Sequence, residues 1–185
     1  MTVEDRLAAL ERKVQYFTDR DQILECITRN SRGNDRFDAE LVASSYHPDG
    51  FHEIGSNAIP GPKYGEHANH AHGAMCEQNL HHVTMHRCEI DGNIAHAESY
   101  VIGMFLDKGC KTSRILSGRY IDRLEKRNGE WRIVVRRATV EVNLEGTASM
   151  LNAPAFRERG YLKGSRDKGD LSYVRPLGLD GGERW

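Results

Sequence analysis

The stretch LHHVTMHRCEIDGNIAHAESYVIGMFL, residues 80–106, decides the fold. It reads as two strands, 80–90 and 94–106, around the turn signal Asp91-Gly92-Asn93. The pattern continues downstream. DKGC at 107–110 is a turn and SRILSGRYIDRLEK at 113–126 a third strand. RNGE at 127–130 carries the Asn-Gly hairpin signal, and WRIVVRRATVEVN at 131–143 is a fourth strand.

Upstream the period changes. Val3, Leu7, Leu10, Val14 and Phe17 recur at spacings of four and three, an apolar stripe on one helix. The stripe packs on its own domain or docks a neighbouring subunit, and it is too short to define a coiled coil. Thr18 with Asp21 resembles a capping box, which predicts a second helix over about 19–31 with Ile23, Leu24 and Ile27 as its apolar face. RGND breaks it, and a third short helix follows near 37–46. HPDG at 47–50 reads as a turn and FHEIG as a short strand. GSNAIPGPKY at 55–64 reads as a loop, and 65–79 as a helix carrying His67, His70 and His72. Helices first and hairpin-linked strands after them predict an α+β fold with an antiparallel sheet.

The chain of 185 residues suits one domain, with 38% hydrophobic and 29% charged residues and a net charge of −1. That balance argues against nucleic-acid binding, which needs a basic excess. No apolar run of about 18 residues predicts a membrane span. MTVEDRLAALERKV has no signal-peptide core, so a cytoplasmic protein is expected. Cys26, Cys76, Cys88 and Cys110 are scattered and read as free thiols filling the core. Residues 1–150 form the expected domain. Residues 151–185, Gly-rich and charged, read as an extended tail whose Tyr161, Tyr173 and Leu177 suit docking over a groove or a partner.

The histidines are the chemistry-bearing residues. His67, His70 and His72 have spacings of three and two, and no strong zinc signature accompanies them, so solvated histidines are expected rather than a metal site. On the strand, His81, Val83 and Met85 share one face and His82, Thr84 and His86 the other. His81 has apolar neighbours, so it is a satisfied core residue unless a carboxylate reaches it. Asp35, after Gly33 at the end of the second helix, is the candidate. Its alternative role is the N-cap of the third helix. Arg136 shares its strand face with Val134, Ala138, Val140 and Val142, and needs a partner or a ligand there. Arg137 shares the other face with Trp131, Ile133 and Val135. Parity alone does not choose between the two arginines.

Several segments together resemble a known family. RLAALERK, ITRNSRGNDRFDAELVASSYHPDG, HHVTMHRCEIDGN and GRYIDRLEKRNGEWRIVVRR are similar to SnoaL-like proteins of the nuclear transport factor 2-like (NTF2-like) superfamily, with a weaker echo in KGDLSY. Within it the chain looks closest to the branch of scytalone dehydratase, hexachlorocyclohexane dehydrochlorinase and bile-acid 7α-dehydratase. The resemblance implies a cone: N-terminal helices closing a strongly curved antiparallel sheet around a hydrophobic pocket. It implies a catalytic His–Asp dyad on His81 and Asp35, and a homotrimer. Arg136 matches the arginine of the dehydrochlorinase. Asn30 stands where Lys or Tyr is usual, and Met85 where Asn is usual. The expected activity is a cofactor-independent dehydratase, a lyase. It would eliminate water or a similar leaving group from an apolar, steroid- or polyketide-like ring. His81 is the base, Arg136 or Asn30 stabilises the charged oxygen, and Val83, Met85 and Asn30 contact substrate. No cofactor and no metal are expected. A ketosteroid-isomerase-like proton transfer and a non-catalytic binding or assembly subunit are the alternatives.

Overall fold

The computed structural model describes residues 1–179 and 181–185. Its first element, α1, is one helix, Val3–Asp35. Thr2 caps it through a reciprocal box: its hydroxyl accepts from the Asp5 N–H at 3.1 Å, and the Asp5 carboxylate accepts from the Thr2 N–H at 2.8 Å. The cap expected at Thr18 does not form. The pattern changes there because the surroundings change, not because the helix stops. No residue before Asp19 is buried, whereas Ile23, Cys26, Ile27 and Asn30 lie in the core. Asp19 marks the crossing, accepting from Trp131 Nε1 and Lys126 Nζ, each at 2.7 Å.

After α1 the chain reverses sharply. α2 spans Ala39–Ala43. A Cβ on Gly33 would stand 2.6 Å from a Val42 methyl, so glycine lets α2 fold back against α1. The cap of α2 is Asp38, whose carboxylate accepts from the Leu41 N–H at 3.0 Å. Asp35 is therefore not needed as a cap.

β1 spans Tyr46–Ile54, β2 Asn57–Pro60, α3 Gly61–Met75, β3 Cys76–Asp91, β4 Ile94–Asp107, β5 Thr112–Arg127, β6 Glu130–Ala138 and β7 Val142–Thr147. They build a strongly curved, open sheet of order β2-β1-β6-β5-β4-β3, with β7 also on β5. The α+β, NTF2-like cone expected from the sequence is present. Its details differ in several places. β1 runs parallel to β6, so the sheet is mixed. HPDG lies inside β1 and forms the irregularity between Tyr46 and Phe51, a bulge rather than a turn. The expected 55–64 loop holds β2 and the start of α3, where Pro62 fits the first turn because its missing N–H is not needed there. Helix α3 ends at Met75, because 76–79 pair with β4, Asn79 opposite Phe105.

The expected strand 131–143 divides into β6 and β7 at Thr139–Glu141. β5 runs past the break and pairs with both pieces. A Cβ on Gly118 would meet the Thr139 carbonyl oxygen at 2.0 Å, so glycine is required where the bend crosses β5. The core packs Ile23, Cys26 and Ile27 of α1 against Tyr46, Leu124, Trp131 and Ile133. All four cysteines are buried free thiols. No helix among the described residues is long and apolar enough to cross a membrane.

The tail carries a 3-10 turn at Ser149–Asn152, α4 at Pro154–Arg157 and a second turn at Leu171–Tyr173. It runs back over the C-terminal end of α1. Lys168 pairs with Asp38, Arg36 with Asp170 at 3.4 Å, and Arg32 lies 4.7 Å from the Tyr173 ring.

Candidate active site

Asp35 is the last residue of α1, and its carboxylate grips one residue of β3 twice. Oδ2 accepts the His81 backbone N–H at 2.8 Å, and Oδ1 lies 2.6 Å from His81 Nδ1. A carboxylate at Nδ1 selects the tautomer with the proton there. Nε2 is then the nitrogen open to a ligand.

Asn79, two residues before His81 on the same strand face, completes the grip. Its amide donates to Asp35 Oδ1 at 3.2 Å and to the Asn34 carbonyl at 3.1 Å. Its own oxygen accepts from Arg166 of the tail at 3.3 Å. Arg166 also donates to the Cys76 carbonyl at 3.0 Å and lies 4.3 Å from the Phe37 ring. The tail thus clamps the base of the dyad from behind.

His81 lines a cavity of about 100 Å³ with His52, Tyr64, His72, Phe105 and Tyr120 among its walls. Phe105 meets His81 edge-on at 5.7 Å, and His72 lies 5.7 Å from the same ring. His52 stacks on Tyr64 at 3.5 Å and takes Tyr46 Oη at 2.7 Å on Nδ1. Burial, then the nearby Arg136 charge, holds His52 well below its ordinary range. Burial raises Tyr46 well above its own and pushes Tyr120 up to about 12. All three are neutral near pH 7. Tyr46 donates its proton to Nδ1, which puts the His52 proton on Nε2. That nitrogen is buried without a partner among the described residues, as is His72 Nδ1. A larger hollow of about 350 Å³ lies across the sheet on Leu80, Met104 and Ile115 and holds no histidine.

Burial pushes His72 down to about 4, with the charges of His81 and Arg166 adding and Asp35 opposing. Above its ordinary 6.5 His72 is neutral folded or unfolded. Between 6.5 and about 4 the unfolded chain takes the proton first, so stability falls as pH falls. The loss is about 3 kcal/mol by pH 4. Thermal melts at pH 7 and pH 4.5 should show a large drop for wild type and a smaller one for His72→Asn. Equal drops would refute this account of His72.

The expected site residues divide into three groups. Asp35 and His81 meet. Asn30 and Arg136 meet each other instead of the cavity. Arg136 is fully buried, donating to both Asp122 oxygens at 2.7 and 2.8 Å and to Asn30 at 2.9 Å, with Tyr120 at 4.0 Å on its π-face. Arg137 is the solvated arginine, paired with Glu53. The third group corrects the expected shared face of His81, Val83 and Met85. The pairing of β3 with β4 slips between Val83 and His86, so a bulge turns Met85 outward, 68% exposed. His86 turns toward buried Ser99 instead, at 2.9 Å. Val83 packs on the core and is not a cavity wall. His67 and His70 are exposed. No three His, Cys, Asp or Glu among the described residues are grouped as a metal ion requires.

Asn79 and His52 went unnoticed in the sequence. Asn79 falls in the helix expected over 65–79, and only its pairing with β4 puts it on the strand face of His81. Nothing local marks His52, because its partners come from β1 and α3.

The SnoaL-like domain model matches residues 15–137. Among curated proteins none matches the chain in sequence. A hexachlorocyclohexane dehydrochlorinase from Novosphingobium barchaimii superposes with TM-score 0.67 at 16% identity, over 72% of this chain and 94% of that one. A candidate scytalone dehydratase from Novosphingobium aromaticivorans gives 0.64 at 18%, over 71% and 90%. A protein of unknown function from Mycobacterium tuberculosis gives 0.61 at 28%, over 69% and 74%. At 16% and 18% identity the likeness to the dehydrochlorinase and to the candidate dehydratase shows the fold alone. The matched segment, two thirds of the chain, runs from the middle of α1 into the end of β6, and on that ground the chain belongs to the SnoaL-like domain family.

Proposed function

We propose that the cavity is the active site of a cofactor-independent lyase that eliminates water or a similar leaving group from a small apolar cyclic substrate. The observation that carries this reading is the double grip of Asp35 on His81, which leaves Nε2 as a base at the cavity wall. His81 Nε2 takes a proton from the carbon next to the leaving group. The C–H electrons form the new double bond, and the leaving group departs with the electrons of its own bond. Asp35 stabilises the imidazolium as it forms. In this reading His52, a wall of the same cavity, donates its Nε2–H to the departing atom, and the His81 proton completes water when hydroxide leaves. Arg136, turned away onto Asp122, acts on this chemistry only through the cavity wall. The dehydrochlorinase and the candidate dehydratase among the structural relatives are consistent with the same reaction class.

Two features narrow the reading. The cavity of about 100 Å³ is below the ~300 Å³ at which drug-sized ligands are enclosed, which favours one ring over the steroid-like frame expected from the sequence. No Asp or Glu among the described residues lines it, so the carboxylate base of a ketosteroid-isomerase-like reaction has no candidate among them.

The test is a panel of cyclic alcohols and chlorinated cyclohexanes, from one ring to four. Each is incubated with wild type and His81→Gln, with thermal shift for binding and mass spectrometry for product. A one-ring compound that loses water or HCl with wild type alone is the expected result. Binding without mass change across the panel would overturn the lyase reading.

A further inference from the structure

Among the described residues, the first half of α1 has no partner that buries it. None of residues 1–18 is buried, and Val3, Leu7, Leu10, Val14 and Phe17 are 56–75% exposed. Their spacing is that of a seven-residue repeat in which Leu7 and Val14 take position a and Val3, Leu10 and Phe17 take position d. The flanks follow from that register. Glu4 and Glu11 take position e, and Arg6 and Lys13 take position g.

These flanks choose both partner and direction. In a parallel, in-register pair of identical helices, g of one chain faces the next e of the other. Arg6 then faces Glu11 of the partner subunit, twice by symmetry. In an antiparallel pair g faces g and e faces e, which sets basic against basic and acidic against acidic. We infer that Val3–Phe17 of α1 is a self-association surface that pairs in parallel, in register, with a second copy of this chain. The inference is independent of the activity proposed above. Two heptads are fewer than the three or four of a free-standing coiled coil, so the pairing depends on protein concentration and weakens in high salt.

Cysteine trapping in the full chain tests it. The native thiols are all buried, so an introduced one is the accessible thiol. Leu10→Cys stacks on its own copy only in the parallel register, whereas Arg12→Cys, at position f, points away. Under mild oxidation Leu10→Cys should yield covalent dimer at least about tenfold more than Arg12→Cys. Adding Glu11→Lys or Arg6→Glu to Leu10→Cys should each reduce the yield, and mixing the two charge variants should restore it. Equal yields from Leu10→Cys and Arg12→Cys, or no dimer, overturn the proposal. So does preferential coupling of a Leu7→Cys chain to a Leu10→Cys chain, the signature of antiparallel packing.

Discussion

Asp35→Asn is expected to lower turnover by roughly 10²–10⁴-fold, no more than loss of the base it positions, while the protein stays folded. The amide keeps an oxygen for the His81 backbone N–H, now 2.8 Å from the carboxylate. At Nδ1 it presents an N–H, so the imidazole proton moves to Nε2 and the base is lost. His81→Gln removes the base outright, with an expected loss of roughly 10²–10⁴-fold. Rates on the first substrate found, with far-UV circular dichroism and melting of each variant, make the check. Wild-type turnover by folded Asp35→Asn would remove the dyad from the mechanism. The double variant should be no worse than His81→Gln alone, because Asp35 acts through His81.

The second large effect is on stability. Asp122 and Arg136 form an ion pair with both side chains fully buried. Coulomb attraction within it offsets the cost of taking both charges out of water, and burial without a partner removes that offset. Asp122→Asn should therefore destabilise the fold by about 3–5 kcal/mol. For a chain of this size that is a fall in Tm on the order of 10 °C. Replacing both residues together, Asp122→Leu with Arg136→Met, should recover much of the loss, since a packed apolar pair leaves no orphan charge. Urea unfolding of the three proteins is the measurement. A loss below about 1 kcal/mol in Asp122→Asn would mean that Asn30 and the Tyr120 face suffice to hold the guanidinium.

The two sets of residues had different legibility. His81 was visible because its own strand marks it, and Asp35 because the family pattern places an aspartate at the end of α1. Arg136 was visible as a charge among apolar neighbours, but not which way it turns. That depends on Asp122, which faces it across β5 and β6. Met85 was misplaced for a related reason. Periodicity assumes an unbroken ladder, and the bulge after Val83 belongs to the pairing with β4 rather than to β3.

What the sequence by itself determined is local. The turn residues placed the hairpins from β3 to β6, strand alternation placed His81 and Val83 on one face, and the four-three spacing defined the stripe of α1. The tertiary structure decided whatever joins distant segments. It carried α1 unbroken through Thr18, since the change at Asp19 is burial, not a helix end. It set β1 parallel to β6, closed α2 onto Gly33, and brought His52 and His72 to one cavity. It also laid Arg166 of the tail against Asn79, 87 residues away. Local conformational preference acts over a few residues, whereas these contacts exist only once the curved sheet has formed and brought the segments together.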